Sequence, residues 1–248
     1  MDLVELFSFE LSGSFAAFKD PSVTSNVSVY YIPSKSSVIG LLGAIIGIPR
    51  DKSGKPPYSE EYLRLFKDTK IGITLLNNPT KFPYNSINRN FGPKREKMPT
   101  KKELLIDPKY RIYFTSTDEF SEKIISAIKS NQFVYTPYLG QTYCHAMISD
   151  LVEHGKNKTI DSGKGETSSV VLDESETYNK EFILKIELVK GSLLVERHMH
   201  HFFENGKLNQ KVLLHWIPVQ DAVFRIKDSS ERNLSNFIEI DKKLICMY

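Results

Sequence analysis

Between Asn77 and Lys102 the chain carries seven basic side chains, Lys81, Arg89, Lys94, Arg95, Lys97, Lys101 and Lys102, against one acid, Glu96. Phe82, Tyr84 and Phe91 are interleaved with them. Cations at this density neutralise phosphates, and aromatic rings between them stack on or wedge between unpaired bases. The segment therefore has the chemistry of a nucleic-acid grip, the bland alternative being a solvated loop with ordinary surface lysines. The whole chain has a formal net charge of only +3, so the rest is mildly acidic once this excess is set aside. A local basic excess on an otherwise acidic protein is the footprint expected of phosphate contact.

Other residues could bind or react. Ser34, Lys35 and Ser36 stand where a helix begins. Free amides and the positive end of the macrodipole favour an anion there, although the same hydroxyls also serve as plain caps. Lys19 lies in the adjacent loop. Tyr138, Gly140 and Gln141 belong to a stretch whose glycine could bring backbone close to a ligand, or could only make a turn. Arg197 and His198 suit an RNA-facing or subunit-facing strand. His198 and His200 share a strand face and have His201 beside them, but zinc needs further ligands, and Cys144 and Cys246 are far apart in sequence. No metal or other cofactor is expected. Ser162 to Thr167 superficially suggests a phosphate loop but lacks the Gly-Lys-Ser/Thr ending and the helix after it, which excludes an NTPase.

The elements that must position these residues read as follows. Leu3 to Leu11 alternates apolar and polar residues as a half-buried strand. Ser36 to Gly47 reads as a helix with Val38, Leu41, Leu42, Ile45 and Ile46 on its apolar side. Gly40, Gly43 and Gly47 suggest close packing of that helix. Strands are expected at Lys70–Leu76, Arg111–Thr115 and Phe133–Tyr135. A second helix over Glu119–Ser130 opens with a Ser116-x-x-Glu119 capping box. This βαββαβ order predicts an α+β, ferredoxin-like (RRM-like) domain over residues 1–150. The basic segment, at about 77–104, is too long for an ordinary connection, and Pro79, Pro83, Pro93 and Pro99 argue for an irregular hairpin projecting from the sheet.

From His154 to Ser169 the composition shifts to Gly, Lys, Ser and Thr, which predicts a linker and a domain boundary near residue 150. Glu181–Val189, Ser192–Arg197, Lys211–Trp216 and Ala222–Ile226 then read as strands, with Asn205-Gly206 as a turn. Residues 151–248 should form a small antiparallel sheet. The 248 residues, 40% apolar, supply ample core. Two cysteines and the absence of a signal segment suggest an intracellular, cytoplasmic protein. The longest apolar run, Val38 to Ile48, is too short to cross a membrane.

The stretch Gly13-Ser14-Phe15-Ala16-Ala17-Phe18, followed by Pro33 to Gly47, resembles the N-terminal signature of CRISPR-associated RAMP proteins of the Cas-five family. There a Gly-Phe-Ala-Phe-type loop precedes a Pro-x-Ser and an Ile-Gly-Leu-Leu-Gly helix. Leu104 to Tyr113 is similar to the family's Leu-x-x-Pro-x-Tyr-Arg-Ile strand, and Thr136 to Gln141 to its Pro-Tyr-Leu-Gly turn. The three matches occur in the family's order and span residues 3 to about 148. The glycine-rich loop near the end of many RAMP proteins is missing or degenerate.

The resemblance implies a RAMP domain whose inserted hairpin is a thumb packed against guide RNA. It implies a non-catalytic Cascade subunit of a type I CRISPR-Cas antiviral system, suited to subtype I-A or I-B, that caps the 5′ handle of crRNA. Expected partners are the backbone RAMP subunit, the Cascade large subunit and, through the complex, target DNA. Expected RNA contacts are Lys19, Ser34, Lys35, Ser36, Arg89, Lys94, Arg95, Lys101, Lys102, Tyr138, Gly140, Gln141 and Arg197. The alternative is a metal-independent endoribonuclease that processes CRISPR precursor RNA. That subgroup uses an adjacent Lys-His pair supported by a tyrosine. No Lys-His dipeptide occurs here, and Tyr30 or Tyr31, His145 and Lys35 would have to be assembled into a site by assumption. A generic RRM-like module of another particle is disfavoured because Arg111-Ile112-Tyr113-Phe114 lacks the Lys/Arg-Gly-Phe pattern.

Overall fold

Alternation and capping place the first elements where the sequence predicts them. In the computed structural model, which describes all residues except 1–2, 24–26, 50–58, 90–96, 161–163, 174–184, 205–206 and 229–235, strand β1 spans Leu3–Ser12 and the short β2 spans Phe15–Ala16. Helix α1, Lys35–Ile46, starts at Ser34, whose hydroxyl accepts the Ser37 N–H. It ends at Gly47, in the left-handed region at φ 82°. A helix not read from the sequence, α2 (Glu60–Asp68), precedes β3 (Lys70–Leu75). The hairpin β4 (Thr80–Arg89) and β5 (Lys97–Ile106) leads into β6 (Lys109–Thr115) and α3 (Asp118–Ser130). The remainder is strand: β7 (Met147–Ile160), β8 (Gly165–Thr167), β9 (Val171–Asp173), β10 (Lys185–Glu204), β11 (Lys207–Asp228), β12 (Asn236–Ile240) and β13 (Lys243–Met247).

The protein is a strand-rich α+β chain built on one large curled sheet. Ten strands join in the order β10-β11-β8-β13-β12-β7-β1-β6-β3, with β9 on β11. The sheet curls until its β3 edge meets the chain beside β9 and β13. The Val170 N–H donates to the Ile73 carbonyl at 2.7 Å, and Ile71 and Tyr248 exchange both backbone bonds, so the outer edge of β3 is covered. Phe7, Phe9 and Leu11 of β1 and Tyr110, Ile112 and Phe114 of β6 face the helices, where Val38, Ile39, Leu42 and Ile45 of α1 and Phe120 and Ile124 of α3 complete the main core. Burying each such side chain stabilises the fold by about 1.5–3 kcal/mol. Leu6, Ile238, Ile245 and Met247 form a second cluster.

Several expectations are corrected. Phe133–Tyr135 is not a strand: the Val134 and Tyr135 N–H groups donate to the Ile45 and Ala44 carbonyls at 3.1 Å. The segment is occupied in satisfying the orphan end of α1. The sheet partner of β1 is instead β7, antiparallel along most of its length. The capping box is absent: Thr117 is the N-cap with no side-chain bond, Ser116 Oγ lies 2.8 Å from Thr69 Oγ1, and Glu119 pairs with Arg64 and Lys123. Among the helix glycines, Gly40 faces open space, whereas a Cβ at Gly47 would lie 2.9 Å from the methyls of Val134. Strand β7 runs through residue 150 and into the stretch expected as a linker, pairing with both β1 and β12. From Lys185 onward the strands expected between 181 and 226 merge into one long antiparallel hairpin, β10–β11, residues 181–184 lying outside the described residues. The Asn205-Gly206 turn lies outside the described residues.

Candidate nucleic-acid interface

In its described residues the basic segment folds as a regular ladder rather than the irregular hairpin expected, while residues 90–96, with Pro93, lie outside the described residues. Its rungs run unbroken from Thr80 opposite Ile106 to Arg89 opposite Lys97. The prolines do not break it because of where they sit. Strand β4 is an edge of its three-stranded sheet, whose order is β2-β5-β4, and Pro99 lies beyond the reach of β2, which pairs only at Ile106 and Leu105. A missing N–H on an unpaired side costs no ladder bond.

Strand alternation sorts the hairpin into two faces. Phe82, Tyr84 and Ser86 of β4 lie opposite Leu104, Lys102 and Thr100 of β5, and Phe15 of β2 lies opposite Ile106, so these residues share a face. Phe15 is 43% exposed and Phe82 50%. The Tyr84 hydroxyl lies 3.4 Å from that of Tyr143, itself 55% exposed, so the turn before β7 adds a ring to the same surface. Burial, the Tyr84 hydrogen bond and the Tyr84 charge push the Tyr143 phenol up, so the Tyr143 ring stays neutral across the physiological range. Exposed aromatic faces beside a lysine can stack on unpaired bases with little sequence preference.

The other face is engaged internally only near its root. Glu103 accepts from the Ser28 hydroxyl at 2.8 Å and the Val29 N–H at 3.3 Å, and Val27 bonds the backbone of Lys101 and Glu103. At the hairpin's root Lys81 Nζ lies 4.4 Å from the centre of the Tyr31 ring and 3.5 Å from Glu196 Oε1 of β10. Glu196 Oε2 also accepts the Tyr31 N–H at 3.0 Å, and the Tyr110 hydroxyl donates to the Tyr31 carbonyl at 2.7 Å. Lys81, counted in the sequence with the phosphate-binding cations, is therefore drawn into an internal ion pair.

The remaining expected contacts are spread over the fold. Lys101 is exposed and Lys102 half-buried on β5. Lys19 is exposed in a bridge to Val29. Ser34 caps α1 and its hydroxyl lies 3.0 Å from those of Ser36 and Ser37, so this cluster is committed largely to itself. Lys35 places Nζ 5.1 Å from the centre of the Phe66 ring. Burial, with Lys70 nearby, pushes its ammonium down to about 8. Gly140, at φ 84°, is required by packing: a Cβ there would lie 2.3 Å from the Ala17 carbonyl oxygen. Tyr138 and Gln141 flank it, exposed, in the turn that carries Tyr143. Arg197 is exposed on β10, opposite Leu214 and away from the hairpin in sequence. Lys94 and Arg95 lie outside the described residues, as do the side chains of Arg89, His198, His200 and His201.

A second polar cluster forms on the sheet face opposite the helices. Arg111 donates to the Asp150 carbonyl at 2.9 Å and its carboxylate at 2.5 Å, and Lys109 and Arg111 both pair with Glu10. His154 lies 2.9 Å from Ser8 Oγ, and burial and Arg111 push its imidazolium down. These cations are compensated by acids and offer little to phosphate. His145 sits exposed in the turn, bridged to Tyr138. Among the described residues no cluster of His, Cys, Asp and Glu could hold a metal ion, and no helix is long and apolar enough to cross a membrane. Phe15 and Tyr143 were missed as site residues in the sequence because their place on the aromatic face depends on contacts with β5 and β4.

The chain matches the family model described as CRISPR-associated protein (Cas_Cas5) over residues 7–224. No curated protein matches it. Its fold is similar to the crystal structure of a CRISPR protein from Archaeoglobus fulgidus, with TM-score 0.56 at 13% identity over 98% of both chains. A chain of a CRISPR RNA-guided surveillance complex aligns with TM-score 0.49 at 15% identity, covering 86% of this chain and 91% of that one.

Proposed function

Because the chain belongs to the CRISPR-associated Cas_Cas5 family, we propose that it is a non-catalytic subunit of a type I CRISPR effector complex that binds and caps the 5′ handle of crRNA. The observation that carries this reading is the β4–β5 hairpin. It stands on its own small sheet, presents Phe82, Tyr84 and Lys102 on one face, and is extended by Phe15 and Tyr143. Unpaired bases of the handle stack on these rings while Lys102, on the same face, meets phosphates. The path β1-α1-β3-β6-α3-β7, whose strands lie in the order β7-β1-β6-β3, supports a ferredoxin-like RAMP core beneath it. The backbone RAMP subunit and the large subunit are the proposed protein partners, with target DNA reached through the complex.

Purified protein is incubated with end-labelled CRISPR-repeat RNA in EDTA, scoring retention and cleavage on the same samples. Salt-sensitive retention of intact RNA is expected. A discrete EDTA-resistant cut would replace this role with precursor processing. Replacing His145 by Ala should then leave the RNA as intact as with wild type. Loss of a real cleavage on that substitution would identify the protein as a nuclease.

A further inference from the structure

Two segments far apart in sequence converge on the Glu196 carboxylate of a third, β10. One oxygen accepts the Tyr31 N–H at 3.0 Å, just before α1. The other lies 3.5 Å from Lys81 Nζ, on the second residue of β4. The Lys81 ammonium also lies over the Tyr31 ring, and the buried Tyr110 hydroxyl anchors the Tyr31 carbonyl to β6. The side chains of Glu196 and Lys81 are 12% and 27% exposed, so this pair is screened less than a surface ion pair. Glu196 itself sits on β10, opposite the buried His215 of β11.

The aromatic face of the hairpin is held differently. Among the described residues its link to the turn is the 3.4 Å contact between Tyr84 and Tyr143, in the exposed region. Val27, Ser28, Val29 and β2 hold β5 to the first part of the chain, and among the described contacts it is the Glu196 carboxylate that ties β4, at the hairpin's root, to β10.

We propose that Glu196 is a positioning residue that clasps the root of the β4–β5 hairpin to the long β10–β11 hairpin, so that a partner moving β10–β11 changes how the hairpin meets RNA. This rests on the RNA-binding reading above for its consequence, but not for the clasp itself. Glu196→Gln keeps an acceptor for the Tyr31 N–H and removes the charge that holds Lys81. Lys81→Met keeps a stem over the Tyr31 ring and breaks the same pair from its more exposed side. The two substitutions remove one contact, so the double variant should be no worse than either single one.

The test is a spin-label distance between Ile87→Cys on the hairpin, 63% exposed, and Glu122→Cys on α3. Cys144 and Cys246 are buried and resist labelling. A narrow distance distribution is expected for the wild-type background and a broadened one for Glu196→Gln, Lys81→Met and their combination, in samples with unchanged circular dichroism. Retention of CRISPR-repeat RNA should weaken by about threefold to thirtyfold in step with the broadening. Distributions that stay narrow in both single variants overturn the clasp. Broadening with unchanged RNA retention upholds the clasp and removes the hairpin from the RNA-binding surface.

Discussion

Alternation along β5 places Lys102 on the aromatic face and Lys101 on the opposite one, next to the strap at Val27. If RNA lies across Phe82, Tyr84 and Tyr143, Lys102 meets its phosphates and Lys101 does not. For single strands each neutralised phosphate adds about 0.7 to the slope of log affinity against log salt. Lys102→Gln should therefore flatten the slope by about 0.7. Between about 50 and 200 mM salt the variant would lose about 2.6-fold less affinity than wild type, whereas loss of both lysines as contacts would give about sevenfold. Lys101→Gln should leave the slope within error. The assay is fluorescence anisotropy with labelled CRISPR-repeat RNA at four salt concentrations, run on wild type and both single variants. An unchanged slope for Lys102→Gln, or an equal change for Lys101→Gln, would refute the assignment of RNA to the aromatic face.

Phe82→Ala should weaken RNA binding by about 1–3 kcal/mol through lost stacking, with no change in salt slope and little change in melting temperature because the ring is half exposed; anisotropy and thermal denaturation check both. Gly140→Ala forces a Cβ onto the Ala17 carbonyl and an L side chain to φ 84°, so denaturant unfolding should show a loss exceeding about 1–3 kcal/mol. His154 has its folded-state value held below the ordinary 6.5 by burial and Arg111. The unfolded chain therefore takes up the proton first, and stability contributed by the neutral ring is present above pH 6.5 and lost as pH falls below it. Urea midpoints of wild type and His154→Gln should diverge on acidification through that range, and parallel curves would remove the histidine from the acid response.

Much of the first half was legible because its signals are local. Ser34 before an apolar helix, Gly47 after it, and the alternation of Phe7, Phe9 and Leu11 each act within a turn or a few strand residues, so the chain specifies them without its neighbours. The basic hairpin was legible for the same reason, as charge and rings concentrated in one stretch. Phe133–Tyr135 looked like a strand by composition, yet its backbone donors were needed at the end of α1. Ser116 and Glu119 fit a capping box by spacing and were diverted to Thr69, Arg64 and Lys123. In both cases a tertiary partner outcompeted a local one.

What the sequence determines by itself is the composition of the site: which segment carries the positive charge and rings, and which residues bound α1. What only the tertiary structure decides is how those residues are used. Register in the β4–β5 ladder separates Lys102 from Lys101, the turn before β7 brings Tyr143 to Tyr84, and Glu196, more than a hundred residues away in sequence, withdraws Lys81 from the phosphate-binding set. The physical reason is that capping and alternation are short-range, whereas a face, an ion pair and a covered sheet edge exist only after distant strands have chosen their partners.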